Sequence, residues 1–247
     1  MAAGGPLPRL LAICCMALAV GVPQAWAEEG WWSKIRDYVG AGEQQPPLRQ
    51  DQVIFGLKTT VAAAADHATA RLGHYNGFAE AQDVRVKLPR KLEKARHVLE
   101  HFGLSARFET LELQMNRAAE DATPLMRPLI GKAIAETVFE NPPAIVAGPD
   151  DAATQYFRAA SEAKLRMLSQ PTLEKCLKES GAQETMRIIK QTLAGLPMAP
   201  KLNFDMTAYV AEETLEGIYQ YMAEREGEIR HNPSLARNEI VGRLFAE

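Results

Sequence analysis

The chain has 247 residues, 47% of them hydrophobic, and its 28 basic and 31 acidic side chains leave a formal net charge of −3. That balance belongs to a folded globular protein, and the lack of a long basic run excludes a nucleic-acid interface built on phosphate contacts. The densest basic stretch, Arg85-Val86-Lys87-Leu88-Pro89-Arg90-Lys91 followed by Lys94 and Arg96, reads as a solvated loop and helix start, or else as a docking patch for an anionic surface.

Residues 1–27 have the layout of a secretory signal peptide. Arg9 and the amino terminus make a short positive region, residues 10–22 are apolar, and Pro23 breaks the run ahead of Ala25-Trp26-Ala27, an A-x-A cleavage site. The run is shorter than the ~20 residues a spanning helix needs. The expected mature protein begins at Glu28 and is periplasmic. Leu11-Ala12-Ile13-Cys14 outlines a lipid-attachment box, but Ile13 stands where a small residue belongs and Cys14 falls inside the apolar run. Cys14 and Cys15 leave with the leader, so Cys176 is alone in the mature chain and no internal disulfide can form. The remaining domain, about 220 residues, is long enough to bury a substantial core without one.

Residues 28–50 read as a short amphipathic segment and a flexible linker. Trp31, Trp32, Ile35, Tyr38 and Val39 form one apolar stripe at helical spacing, and the Gly- and Pro-containing residues 40–47 deny regular structure. The stripe either folds back onto the domain or rests its two tryptophans at a membrane interface. From residue 51 to 247 nearly every segment has helical periodicity. Residues 52–72 carry an alanine-rich face suited to close helix approach, a turn signal follows at Asn76-Gly77, and Pro89 opens a helix to Phe102. Residues 105–121 form the next helix, Thr123-Pro124 starts another, and Asn141-Pro142-Pro143 breaks the chain. Pro149-Asp150-Asp151 offers cap chemistry for a helix to Leu168, with shorter helices at 171–177 and 183–193, a long one at 205–230 and a last one running from Asn232-Pro233 to Phe245. Only Val84-Arg85-Val86-Lys87-Leu88 alternates with period two. The fold class is all-α, a single irregular multi-helix bundle without internal repeats.

His97-Val98-Leu99-Glu100-His101 fits the H-x-x-E-H pattern, which on a helix sets two imidazoles one turn apart with a carboxylate beside them. A third ligand is needed and nothing marks one; two exposed histidines on an amphipathic helix produce the same letters. No G-x-S-x-G or glycine-rich phosphate loop occurs, Cys176 has no histidine nearby in sequence, and no cofactor is expected.

Two polar blocks remain. In Met115-Asn116-Arg117-Ala118-Ala119-Glu120-Asp121, Asn116 pairs with Glu120 and Arg117 with Asp121 across one helical turn. In the second block Asp151, Thr154, Gln155 and Arg158 share a face near a helix start, with Tyr156 between them. Either the two helices cross and their polar groups satisfy one another, or the groups line a pocket for a small polar or anionic ligand with Arg117 and Arg158 as forks.

These blocks also carry a resemblance. Asn116-Arg117-Ala118-Ala119-Glu120 followed by Ala152-Ala153-Thr154-Gln155-Tyr156-Phe157-Arg158 resembles the paired hallmark of the bacterial family catalogued as domain of unknown function 4197. The likeness extends to Ile54-Phe55-Gly56-Leu57-Lys58, Asn76-Gly77-Phe78, Val86-Lys87-Leu88-Pro89, Asp205-Met206-Thr207-Ala208-Tyr209-Val210 and Ile229-Arg230-His231-Asn232-Pro233. It implies an exported helical protein of Gram-negative bacteria with no assigned activity and no established catalytic residues. It also implies an ordinary amphipathic helix where His97 and His101 stand, which weakens the zinc pattern.

The expectation is a periplasmic, non-enzymatic binding or scaffolding domain with a central polar cluster of Asn116, Arg117, Glu120, Asp151, Thr154, Gln155, Tyr156 and Arg158. Its partner would be a small polar ligand or an envelope protein, with membrane contact at most peripheral through Trp31 and Trp32. The alternatives are a metal-dependent hydrolase using His97, Glu100 and His101, or a carrier of apolar ligands.

Overall fold

Proline placement decides how the chain divides into helices. The computed structural model describes residues 46–100, 105–196 and 202–246. The leader, its cleavage site, the Trp31 and Trp32 stripe, and His101 lie outside the described residues. The helices are α1 (Gln50–Leu72), α2 (Arg90–Glu100), α3 (Ala106–Glu136), α4 (Pro142–Val146), α5 (Ala152–Glu179), α6 (Ala182–Ala194), α7 (Met206–His231) and α8 (Glu239–Leu244), with a 3₁₀ turn at Pro233–Ala236. No strand occurs among the described residues, and the fold is all-α.

Two expected breaks are absent. α3 runs through Pro124 and Pro128, and α5 runs through Pro171, where the local signals predicted separate helices. A proline inside a helix removes one main-chain donor and costs about 3 kcal/mol. All three prolines face solvent, and the carbonyls freed by Pro128 and Pro171 belong to the exposed residues Pro124 and Met167, while the buried stripe continues past them as Ala119, Ala122, Met126 and Ile130 in α3 and as Leu165, Leu173 and Leu177 in α5. Packing of that stripe outweighs the local penalty. The opposite happens near the carboxyl terminus. The single helix expected from Asn232-Pro233 to Phe245 is split, because Arg237 adopts a left-handed conformation with φ 50° and Asn238 then caps α8 by accepting from Ile240 and Val241.

Four long helices form the body of one compact unit, Leu48–Glu247. α1 packs on α7, α7 on α5, α5 on α3 and α3 back on α1, while α6 lies against α3 and α5, and α8 lies across α1. The alanine face of α1, with Ala64 and Ala68 fully buried and Ala65 nearly so, lets its neighbours approach closely. The loop between α1 and α2, residues 73–89, is drawn into this body instead of running over its surface: Phe78 and Val86 are completely buried and Val84 and Leu88 nearly so. Gly217 on α7 makes room for it, since a Cβ there would stand 2.9 Å from the Phe78 ring and 3.1 Å from the Val84 Cβ.

Gly217 and Gly131 therefore respond oppositely to alanine. Nothing lies within 4 Å of a Cβ at Gly131 in α3, so Gly131→Ala gains up to about 1 kcal/mol of helix propensity. At Gly217 the same gain is outweighed by overpacking worth about 1–3 kcal/mol. Urea denaturation of the two variants is expected to show opposite shifts in midpoint.

Candidate functional site: two buried carboxylate clamps

The buried loop requires partners for its main-chain groups, because an unpaired N–H in the interior costs as much as a lost hydrogen bond. α3 supplies them. Glu120, 3% exposed, accepts from Phe78 N at 3.0 Å and Ala79 N at 2.9 Å through the same oxygen. Its other oxygen takes a hydrogen bond from Arg117 at 2.6 Å, and Arg117 also donates to the Asn76 side-chain oxygen at 2.6 Å. One turn earlier on the helix, Asn116 accepts from Val86 N at 3.0 Å and donates to Val86 O at 2.8 Å. The amide thus pairs with both main-chain groups of one extended residue, as a neighbouring strand would. The period-two stretch at Val84–Leu88 is not a strand, yet its alternation marks which side chains point inward.

The second block is organised around a residue the sequence did not single out. Asp151 occupies the N-cap position of α5 but makes no side-chain cap bond, and instead accepts from Gln155 Nε2 at 3.0 Å. Glu226 on α7 caps α5 from across the bundle. It is fully buried and accepts from Ala153 N at 2.9 Å and from Thr154 N at 2.6 Å. The carboxylate sits at the positive end of the helix dipole. Arg230, one turn further along α7, donates Nε to Glu226 at 2.9 Å and its two terminal nitrogens to the carbonyls of Val146 and Ile145 at 2.8 and 3.1 Å, closing the last turn of α4. The Arg230 guanidinium also stands 4.8 Å over the Phe245 ring.

The eight expected site residues are thus distributed over several contacts and do not converge on one centre. Asn116, Arg117 and Glu120 act together on the loop, Thr154 joins the Glu226 clamp through its main chain, and Asp151 pairs with Gln155. Tyr156 donates its hydroxyl to Val138 O at 2.9 Å and accepts from Glu140 N at 3.2 Å. Arg158 reaches both oxygens of Glu216, at 3.0 and 2.5 Å, contacts Glu162 at 3.5 Å, and lies 5.4 Å over the Tyr219 ring. The two blocks satisfy their polar groups, but with partners elsewhere and not with each other. The exceptions are the Thr154 hydroxyl, buried without a hydrogen bond, and Asp121, which is exposed and left to solvent. Glu226, Arg230, Asn76 and Glu216 were missed; the Glu226 and Arg230 spacing of one helical turn is the only local signal for any of them.

The other candidates sit as follows. His97 lies 3.6 Å from Glu100, both largely exposed, and no group of three or more His, Cys, Asp or Glu able to hold a metal occurs among the described residues. Cys176 is a buried free thiol whose pKa is pushed up chiefly by burial and then by Asp121, the reverse of what an activated nucleophile needs. An open groove of about 580 Å³ is lined by Val146, Asp150, Arg230, His231, Leu244 and Phe245, with Arg230 already engaged as described.

The fold is that of an all-α bundle in which Asn116, Glu120 and Tyr156 bind the protein's own main chain. The chain matches the family described as Protein of unknown function (DUF4197) over residues 47–246, and it belongs to that family. No curated protein and no solved structure matches it.

Two measurements follow. Glu226→Ala strands a buried guanidinium and two helix N–H groups, and breaking such a pair costs about 3–5 kcal/mol, whereas Asp151→Ala, an exchange in a partly exposed residue without a cap bond, stays within about 0.5 kcal/mol; chemical denaturation compares the two directly. Tyr219, 3% exposed, has its pKa raised from 10.0 to about 12, first by burial, against which the Ser161 hydrogen bond acts. Its contribution is complete below pH 10.0, where both states are protonated, and is lost as pH rises to about 12 because only the unfolded chain ionises it. Tyr219→Phe is expected to flatten the stability profile across that interval.

Proposed function

We propose that this protein is an exported, non-enzymatic binding or scaffolding domain of the bacterial cell envelope, and that it engages its partner through its outer surface and not through a polar interior pocket. The observation that carries the proposal is the saturation of the polar blocks. Arg117 is used by Glu120 and Asn76, Arg158 by Glu216 and Glu162, and Glu226 by Arg230 and two N–H groups. A guanidinium fork recognises an anion by spending free N–H groups on it, and here those groups are already committed. Export rests on the leader-like layout of residues 1–27. The metal-hydrolase alternative finds only the His97 and Glu100 pair among the described residues.

Cell fractionation with amino-terminal sequencing tests export: the mature chain is expected in the periplasm beginning at Glu28, and a cytoplasmic chain retaining Met1 would sink it. Arg158→Met tests the closed interior. Its ion pairs are partly exposed, so the loss is expected near 1 kcal/mol, and no polar metabolite in a thermal-shift screen is expected to raise the wild-type melting temperature. A metabolite that stabilises the wild type and not Arg158→Met would restore the interior pocket.

A further inference from the structure

We propose that the exposed side of α3 around Asp121 and Leu125, together with Tyr75 beside it, is a docking surface for a basic polypeptide segment that carries an apolar anchor. This rests on the reading of the protein as a binding domain and names the chemistry of its partner. Four observations meet here. Tyr75 is 76% exposed and Leu125 53%, the kind of large apolar side chains that a monomer seldom leaves bare together. Tyr75 is nevertheless held in place, because its ring stacks 3.6 Å from the Arg117 guanidinium, which the buried Glu120 fixes in turn. An aromatic anchor already ordered before binding loses little entropy when it is covered. Arg117, Asp121 and Leu125 follow one another at one-turn spacing on α3, and the loop closes on the same helix, since a Cβ at Gly73 would stand 3.0 Å from Pro124 Cδ.

The polar character of this surface is one-sided. Pro128 has no N–H, so the carbonyl of the exposed Pro124 loses its helical donor. Asp121 is exposed, and no hydrogen bond or ion pair involves it among the described residues. The nearby cations of α3 itself are spent: Arg117 on Glu120, Arg127 on Asp66 at 2.7 Å, and Lys132 on Glu136 at 3.9 Å. What remains is an array of acceptors next to two apolar side chains. Lysine or arginine on the partner would supply donors for Asp121 and the Pro124 carbonyl, and an apolar side chain would cover Leu125 and Tyr75. An acidic segment would meet acceptors with acceptors.

Fluorescence anisotropy of the mature chain with two labelled synthetic helical peptides, one of leucine and lysine and the other of leucine and glutamate, tests this. The lysine peptide is expected to bind and the glutamate peptide not to. Asp121→Lys and Leu125→Asp, both on the solvent side, are expected to leave the melting curve unchanged and to weaken binding about tenfold. Pro128→Ala returns a donor to the Pro124 carbonyl; it is expected to raise the melting temperature while weakening binding, a combination that a purely structural role for this face does not produce. Equal binding of both peptides, binding of neither, or binding untouched by Asp121→Lys and Leu125→Asp overturns the proposal. So does sedimentation showing a wild-type dimer that Leu125→Asp disperses, because a second copy would then own the surface. Each of these outcomes leaves export and the closed interior to their own tests.

Discussion

Two carboxylates without access to water, Glu120 and Glu226, set the terms for the rest of this protein. A buried charge is tolerated only when paired and hydrogen-bonded, and each of these meets the requirement in the same way: two consecutive main-chain N–H groups of a distant segment and one arginine on its own helix. The apolar contacts among α1, α3, α5 and α7 supply most of the favourable energy, yet they are nondirectional, and an alanine-rich face fits many offsets. The clamps are directional. Glu120 accepts two hydrogen bonds only if Phe78 and Ala79 arrive at one place along α3, and Glu226 caps α5 only at one registry between α5 and α7. Arg230 extends the second clamp to the end of α4, so that an acid serves a helix start and a base serves a helix end with one pair of side chains.

The helical class was readable because helices of this length repeat their apolar spacing many times. What local rules misjudged were interruptions. Pro124 and Pro171 look like boundaries when read with their neighbours alone, and they are not, because the face that must be buried continues past them and the lost donors face water. Asp151 looks like the cap of α5 and is not, because a carboxylate far along the chain reaches the same N–H groups under cover from solvent. Capping rules are local by construction, so a cap delivered by tertiary structure leaves no trace near the helix it serves. Asn116 and Glu120 stand out in the sequence as a polar pair one turn apart on a helix face. Their partners do not, since Val86 and Phe78 contribute only main-chain groups, and those are identical in every residue.

Several of the segments that carry the likeness to the family take part in the two clamps. Asn76-Gly77-Phe78 and Val86 are what Asn116, Arg117 and Glu120 hold, Ala153 and Thr154 are what Glu226 holds, and Arg230 completes that pair. Residues that a catalytic account would assign to substrate are spent on main chain. The hallmark residues Asn116, Arg117, Glu120, Ala153 and Thr154 thus take part in fixing how the elements of the bundle meet.

Arg117 shows how assembly and recognition nonetheless meet. Its guanidinium is fixed from below by the buried Glu120 and from the side by Asn76, whose left-handed φ of 67° turns the loop at that point. Its upper face carries Tyr75. A side chain on a surface loop would ordinarily sample several rotamers and lose that freedom on binding. Here the order originates in a carboxylate that cannot be left unpaired, passes through a planar cation with no alternative partner of equal strength, and ends at an exposed aromatic ring. The interior clamp is thus also the support of an exterior contact, a direct route by which a helix bundle presents a defined surface.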